Sequence, residues 1–463
     1  MSRRISIDPV TRLEGHGRIQ ILLDADGKVS DVLFQVPEFR GFEKFCEGRA
    51  VEEMPTLTQK ICGICPMAHH MASTKALDDL FSVAVPPTAR KIRELAYHAF
   101  IFEDHLLHVY YLGGPDWLMA PDTPPSRRNI AGLAEQMGAA FTTRLMTARH
   151  QARQMIARIS GSALYPVFGL PGGISKSLTQ EDQDFAAAAS RVMLDFAGVS
   201  LKLFEKQLER RTFFRELLTD PVYYQRTYSM GMTDDDGRLR FYDGHIRIVD
   251  PGGDPVASFT ARDFPKYLTE RVNDWTYMKN PAIRNAGWQG FPGDKTITDY
   301  RVGPLARLNV ISGISTPLAQ SAYEKMMSFF GGRPVHHTLA YHWARLIEIL
   351  HAAERVAELA IEPDIISSEI RNIPAPLQRE QSGSGVCEAP RGTLFHVYHS
   401  SAEGIVQKLN LMVGTQHNAA ALYRSVHQAA SMLITNGQIS DAVLNRIEMA
   451  YRAYDPCLAC ATH

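Results

Sequence analysis

The stretch Asp455-Pro456-Cys457-Leu458-Ala459-Cys460-Ala461-Thr462-His463 decides how this chain is read. Its CxxC spacing lets two sulfurs converge on one metal, and thiolates select soft or borderline metals. A second pair, Cys62-Gly63-Ile64-Cys65, stands near the other end of the chain. On spacing alone a structural tetrahedral zinc site comes first, a metal–sulfur redox site second and unrelated thiols third. Three details move the reading toward the redox site. Zinc modules usually collect their ligands within a few tens of residues, whereas a link between two chain ends suggests assembly of a buried site. Asp455, His463, His69 and His70 flank the pairs, and a closed structural site needs few such groups. His463, the last residue, sets an imidazole and a carboxylate beside the second pair, where a ragged tail is the usual expectation.

Composition narrows the choices further. Over 463 residues, 49 basic side chains meet 50 acidic ones, for a net charge of −1. That balance excludes a general nucleic-acid binder. Six cysteines in a chain of this length are too few for a disulfide framework. No run of about 18 apolar residues marks a membrane span, so no direct membrane insertion is expected. The start, Met1 to Pro9, lacks the apolar core of a secretion signal.

Periodicity predicts a mainly α chain with smaller β regions (α+β): a long-helix bundle with an N-terminal β-sheet and an inserted β-ribbon. Residues 1–60 read as β-rich, with strand-like runs at Ile5–Ile7, Gly17–Leu23 and Lys28–Val36 and a turn at Asp24-Ala25-Asp26-Gly27. Residues 61–221 read as the first half of the bundle. Its helices are expected at 87–111, at 125–160 with a break near Gly138, and at 179–218, where Thr179 and Asp182 resemble a capping box. Residues 222–260 read as the ribbon, with β-like runs at 239–242 and 245–249 between turn clusters. Residues 261–463 read as the second half, ending in the metal-binding segment, with helices at 317–330, 338–360, 417–434 and 439–453. Residues 372–393, rich in Gly, Pro and Ser, read as loop, and all four regions are expected to form one unit. No βαβ alternation or phosphate loop is present, so nucleotide binding is not expected.

Three charged motifs have bland defaults. Arg12-Leu13-Glu14-Gly15-His16 reads as a solvated strand entry, Arg40-Gly41-Phe42-Glu43 as surface, and Glu388-Ala389-Pro390-Arg391-Gly392 as a charged turn. An arginine beside proline also has the fixed geometry of a donor aimed at an anion. Taken with the two CxxC pairs, Gly303-Pro304-Leu305-Ala306-Arg307 and Trp275-Thr276-Tyr277-Met278-Lys279, these motifs resemble the large, catalytic subunit of nickel–iron (NiFe) hydrogenase along nearly the whole chain.

That resemblance implies its fold and its roles. Cys62 and Cys457 would bind nickel alone, and Cys65 and Cys460 would bridge nickel to an iron carrying carbon monoxide and two cyanides. Cys457 would take a proton from H2 and relay it to Glu14. Arg391 is the alternative base, though a guanidinium that stays protonated suits positioning better. Pro390, Arg391 and Thr415 match cyanide-contacting positions, with Asp104 and Asp455 flanking the arginine. Glu43, the carbonyl of Leu411 and His463 match ligands of a Mg²⁺ ion, which takes few protein ligands. Tyr165-Pro166 and Val413-Gly414-Thr415 depart from the family pattern and touch local hydrogen bonding only. Cys46 and Cys387 read as packing residues.

Partners follow from the same resemblance. Its cysteines serve one site, so electrons would leave through an iron–sulfur small subunit. Residues 39–45 and 62–70 look like cytoplasmic, bidirectional enzymes: NAD(P)-linked with flavin- and NAD-binding diaphorase subunits, or linked to heterodisulfide reductase or ferredoxin. A membrane-attached or periplasmic uptake enzyme is the runner-up, and a hydrogen-sensing regulatory form uses the same site. An ending at His463 matches a precursor processed after nickel insertion, which implies a maturation peptidase and nickel-insertion proteins; a naturally unextended chain is the other reading.

Overall fold

Alternating apolar residues at the N-terminus make strands. The computed structural model describes residues 3–286 and 298–463. In it β1 (Arg3–Ile7), β2 (Arg18–Leu23) and β3 (Val29–Gln35) form an antiparallel sheet in that order. Ile19, Ile21, Leu23, Val32 and Phe34 are buried, the period-2 pattern of a half-buried sheet. Asp24 Oδ1 accepts from the backbone N–H of Asp26 and of Lys28, both at 2.9 Å, and so closes the β2–β3 turn.

Helices supply the core. They are α1 (Pro66–Leu80), α2 (Pro87–Leu106), α3 (Ala139–Ser160) and α4 (Gln180–Arg210), joined later by α5 (Tyr341–Ala360), α6 (Ala419–Leu433) and α7 (Asp441–Arg452). Packing runs α2 against α3 and α5, and α4 against α3 and α5. Proline opens α1 and α2, where its missing N–H costs nothing. The capping box forms at α4, with Thr179 Oγ1 accepting from the Asp182 N–H and Asp182 Oδ2 from the Thr179 N–H, each at 3.1 Å. The break near Gly138 is real: the helix Ile130–Met137 ends there and α3 begins after it, with Gly138 at φ 82°. Past its end α2 continues as a π-helical turn, Leu107–Leu112, a form that recurs at functional sites.

The β structure is wider than the sequence reading. β4 (Tyr228–Thr233), β5 (His245–Val249) and β6 (Pro255–Phe259) pair antiparallel, and the short strand Tyr300–Arg301 lies parallel to β4. Of residues 239–242, Leu239 makes a single bridge to Thr233. β7 (Leu268–Asn273) and β8 (Thr276–Ile283) form a hairpin within the region read as the second half of the bundle, ahead of its first expected helix. Its first strand, LTERVN, buries only Leu268 and exposes Val272, so it carries no clear apolar alternation to read.

The largest correction concerns residues 372–393. β9 (Gln381–Ala389) and β10 (Gly392–Ser400) pair antiparallel, and β11 (Val406–Met412) completes the sheet. The glycines that suggested a loop are there because β9 lies directly on the backbone of α1. A Cβ at Gly385 would stand 2.0 Å from the Ala72 carbonyl oxygen, and one at Gly383 would stand 2.2 Å from that of Ala76. Glycine inside a strand marks such an approach.

Candidate metal centre

Four sulfurs from the two ends of the chain meet in the interior. Cys62 is extended, Cys65 is the N-cap of α1, and Cys457 caps the short helix Leu458–Ala461. Cys62 Sγ lies 3.3 Å from Cys457 Sγ, and Cys65 Sγ lies 3.2 Å from Cys460 Sγ. All four lie within 4.8 Å of one another, are buried, and form no disulfide. Burial and the neighbouring sulfurs push Cys457 and Cys460 above the ordinary thiol value. Four thiolates therefore coexist here only around a cation, and four buried sulfur donors suit a soft or borderline metal. Backbone geometry favours the arrangement: the N–H groups of Ile64 (3.2 Å) and Cys65 (3.5 Å) point at Cys62 Sγ, and the Cys457 N–H donates to Thr415 Oγ1 at 2.9 Å.

The segment 12–16 is not a solvated loop. Arg12 sits at φ 61° and donates to the Leu112 carbonyl (2.8 Å) and to Asp116 Oδ1 (2.6 Å). Arg452 holds Asp116 from the other side at 2.8 and 3.0 Å. Gly15, at φ 84°, lets the segment lie on Leu458, where a Cβ would come within 2.9 Å of the leucine Cβ. Glu14 is thereby paired with Cys457 as a parallel bridge. Its Oε2 is 3.0 Å from Cys457 Sγ and accepts from the Ala459 N–H at 3.0 Å. Burial, then the charge at Cys62, raises the Glu14 carboxyl above its ordinary value. His16, by contrast, is exposed and pairs with Glu38 at the surface.

Arg391 lies beside the sulfurs between two acids. Its Nη1 donates to Asp104 Oδ2 at 3.2 Å, and its Nη2 is 3.1 Å from Asp455 Oδ2. Asp455 Oδ1 is in turn 3.0 Å from His108 Nδ1. Burial raises the Asp104 carboxyl, whereas Arg391 and His108 outweigh burial at Asp455 and hold it low. A cavity of about 20 Å³ opens between Cys65, Cys460, Arg391, Leu394 and Thr415, enough for a water-sized ligand. The turn that carries Arg391 is held by Arg307, which donates to Glu388 (2.8 Å), the Ala389 carbonyl (2.9 Å), the Pro390 carbonyl (3.2 Å) and both oxygens of Glu348 (2.6 Å).

The remaining positions lie at the C-terminal edge. Glu43 Oε1 accepts from the Leu411 N–H at 2.9 Å and is 3.6 Å from His463 Nε2, while Lys279 Nζ is 3.3 Å from Glu43 Oε2. Burial opposes ionisation, but His463, the Leu411 N–H and Lys279 hold the Glu43 carboxyl down at about 2. Leu411 thus meets Glu43 through its N–H. Cys387 and Cys46 stay outside the four-sulfur group; Tyr97 donates to Cys387 at 3.1 Å, and burial pushes that thiol up to about 12.

Sequence reasoning gave no role to several residues that build the site. Arg40 donates to the Ile61 carbonyl and, at 2.9 Å, to the Ala459 carbonyl, and so staples the two CxxC loops together. Its motif was visible, but only Glu43 was drawn from it. The signal for Arg307 was likewise present in Gly303–Arg307. His69 reaches Cys460 Sγ at 3.4 Å, and its position after CGIC was the only hint.

Comparison with known proteins agrees with this geometry. The family model described as nickel-dependent hydrogenase matches residues 40–166 and 255–463. The chain belongs to this family. A second model, described as HoxL-like, matches residues 4–39 of the hydrogenase chain. An iron-sulfur subunit of the F420-non-reducing hydrogenase of Archaeoglobus profundus is 41% identical, over 100% of this chain and 94% of its own. The NAD-reducing hydrogenase HoxS subunit beta of Cupriavidus necator is 37% identical, over 100% of this chain and 95% of its own. A crystal structure of an NAD⁺-reducing nickel–iron hydrogenase in the H2-reduced state superposes with a TM-score of 0.92 at 35% identity, covering 100% of this chain and 99% of that one. The chain is a hydrogenase large subunit, an oxidoreductase acting on H2, with a four-cysteine metal-binding site.

Proposed function

We propose that this hydrogenase subunit splits H2 heterolytically and reversibly at a nickel–iron centre and passes the proton out through Cys457 and Glu14. The observation that carries the reading is the contact between Cys457 Sγ and Glu14 Oε2, 3.0 Å apart beside three further sulfurs. Cys62 and Cys457 would hold nickel alone, and Cys65 and Cys460 would bridge to an iron with carbon monoxide and two cyanides. When bound, the metals supply the Lewis acidity that lets so weak an acid as H2 give up a proton. Cys457 Sγ accepts that proton and Glu14 receives it across the short contact; a carboxyl raised by burial holds a proton closer to neutral pH than an ordinary one. Arg391, kept cationic between Asp104 and Asp455, offers fixed positive charge to an anionic ligand in the adjoining cavity. Pro390 and Thr415 would contact the same ligands, and Thr415 lines that cavity. Glu43, His463 and the carbonyl of Leu411 would hold a Mg²⁺ ion, which takes few protein ligands.

Electrons would leave through an iron–sulfur small subunit and end at NAD(P) on diaphorase subunits, in the cytoplasm; the NAD⁺-reducing relatives support NAD as the acceptor. A second reading sends the electrons to heterodisulfide reductase or ferredoxin; the 41% identical relative is named F420-non-reducing rather than NAD-reducing. No helix among the described residues is long and apolar enough to cross a membrane. A maturation peptidase and nickel-insertion proteins would assemble the centre. Infrared spectra of the anaerobically purified complex should show carbonyl and cyanide stretches, and a nickel-containing complex without them would overturn the iron ligand set. H2-dependent reduction assayed with NAD⁺ and with ferredoxin separates the two electron routes.

A further inference from the structure

Behind Cys460 runs a buried line of hydrogen bonds that the reaction as described does not use. His69 Nε2 is 3.4 Å from Cys460 Sγ, and His69 Nδ1 is 3.1 Å from His396 Nε2. His396 Nδ1 is 2.6 Å from the Tyr398 hydroxyl, whose oxygen is 2.7 Å from Ser73 Oγ. All of these side chains are buried, at 1% exposure or less for His69, His396, Tyr398 and Ser73. His396 and Tyr398 sit two apart on β10, so both face α1, which carries His69 and Ser73. Every ring nitrogen in the line is spoken for.

We propose that His396 and Tyr398 are positioning residues that fix the tautomer of His69, so that its Nε2–H donates to the Cys460 sulfur. The inference rests on the metal-centre reading above, in which Cys460 is a thiolate. A thiolate has no proton to give, so direction propagates outward from it. His69 donates through Nε2 and must accept at Nδ1. His396 therefore donates through Nε2 and accepts at Nδ1. Tyr398, whose single hydroxyl proton can go to Ser73 Oγ or to His396 Nδ1, then gives it to His396. One nitrogen of a neutral imidazole donates only if the other accepts, and a partner on the second nitrogen decides which. Donors in such a line polarise one another. A hydrogen bond to a metal-bound sulfur draws electron density from it and tunes the centre.

The test uses the intact, anaerobically purified complex. Tyr398→Phe removes the hydroxyl alone, and His396→Leu removes the donor to His69. His396→Gln keeps an amide donor at similar reach. With the pull on the sulfur weakened, more electron density reaches the iron. The carbonyl stretch should move to lower wavenumber in Tyr398→Phe and further in His396→Leu, with nickel content unchanged. In His396→Gln it should return toward the unmodified value. Unshifted bands in Tyr398→Phe and His396→Leu would overturn the inference, and if His396→Leu fails to load nickel, unshifted Tyr398→Phe does so alone. Absence of the bands in the unmodified complex would instead count against the iron ligand set, a separate failure.

Discussion

Glu14 shows how much one residue depends on its neighbours. Nothing in RLEGH separates a carboxyl turned in to the sulfurs from a surface one; the difference lies in Arg12, turned to φ 61° and tied to Asp116, and in Gly15, pressed on Leu458. Glu14→Gln keeps the shape and the Ala459 contact but cannot carry a proton. Exchange of D2 with solvent protons should fall by about 10²-fold or more, the scale of a lost acid–base group, while nickel content stays unchanged; exchange at the original rate would remove Glu14 from the relay. Arg307 gives a structural counterpart. Arg307→Ala leaves Glu348 and Glu388 buried without their cation, at a cost of about 3–5 kcal/mol. Thermal unfolding of the complex should show a clear drop in Tm, and an unchanged Tm would contradict the role. The four cysteines were legible because a metal needs their chemistry and spacing. Arg40 and Arg307 stand in visible motifs, but their roles and that of His396 depend on distant carbonyls and side chains that no local pattern names.

At the scale of elements, helices were easier to read than strands. Proline starts, the Thr179 box and the Gly138 break are local signals, and they held against the packed structure. β9 was missed because its glycines serve α1 rather than their own strand. Gly385→Ala should force β9 off α1, since the added carbon meets the Ala72 carbonyl at 2.0 Å. Overpacking of this kind costs about 1–3 kcal/mol. Because α1 begins at Cys65 and β9 ends at the Glu388–Arg391 turn, nickel retention should also fall. Native nickel content with unchanged stability would show that the approach is not needed. Between α2 and α5 runs a second hidden feature, a seam of polar pairs. Half-buried Glu94 meets Arg355 at 3.5 Å, the buried His98 and His351 rings pack edge to face, and buried His105 meets Glu348 at 2.7 Å. Amphipathic periodicity places these positions inward but does not say that polar groups will fill them.

Across the whole molecule, the first and last segments are bound to each other around the sulfurs. Arg40 joins residues 61 and 459, Glu14 pairs with Cys457, and Asp116 ties Arg12 to Arg452. This closure explains why two CxxC pairs so far apart in sequence form one site. It also gives an acid limit. Burial would raise the Asp116 carboxyl, but Arg12 and Arg452 hold it below its ordinary value of 3.8. A carboxyl lowered by folding contributes stability that is present above its unfolded value and lost as pH falls toward the folded one. Stability should therefore decline below about pH 4, and Asp116→Asn should lower it at neutral pH and flatten that decline. A parallel loss at every pH would argue against the clamp. The near-zero net charge fits a protein whose substrate is a neutral gas and whose contacts are with other subunits. The central claim, that this site splits H2 heterolytically, is tested most directly by D2/H2O isotope exchange without any electron acceptor. The nickel-replete complex should release HD and then H2 into the gas phase. A complex carrying nickel on the four cysteines that leaves D2 unexchanged would contradict it.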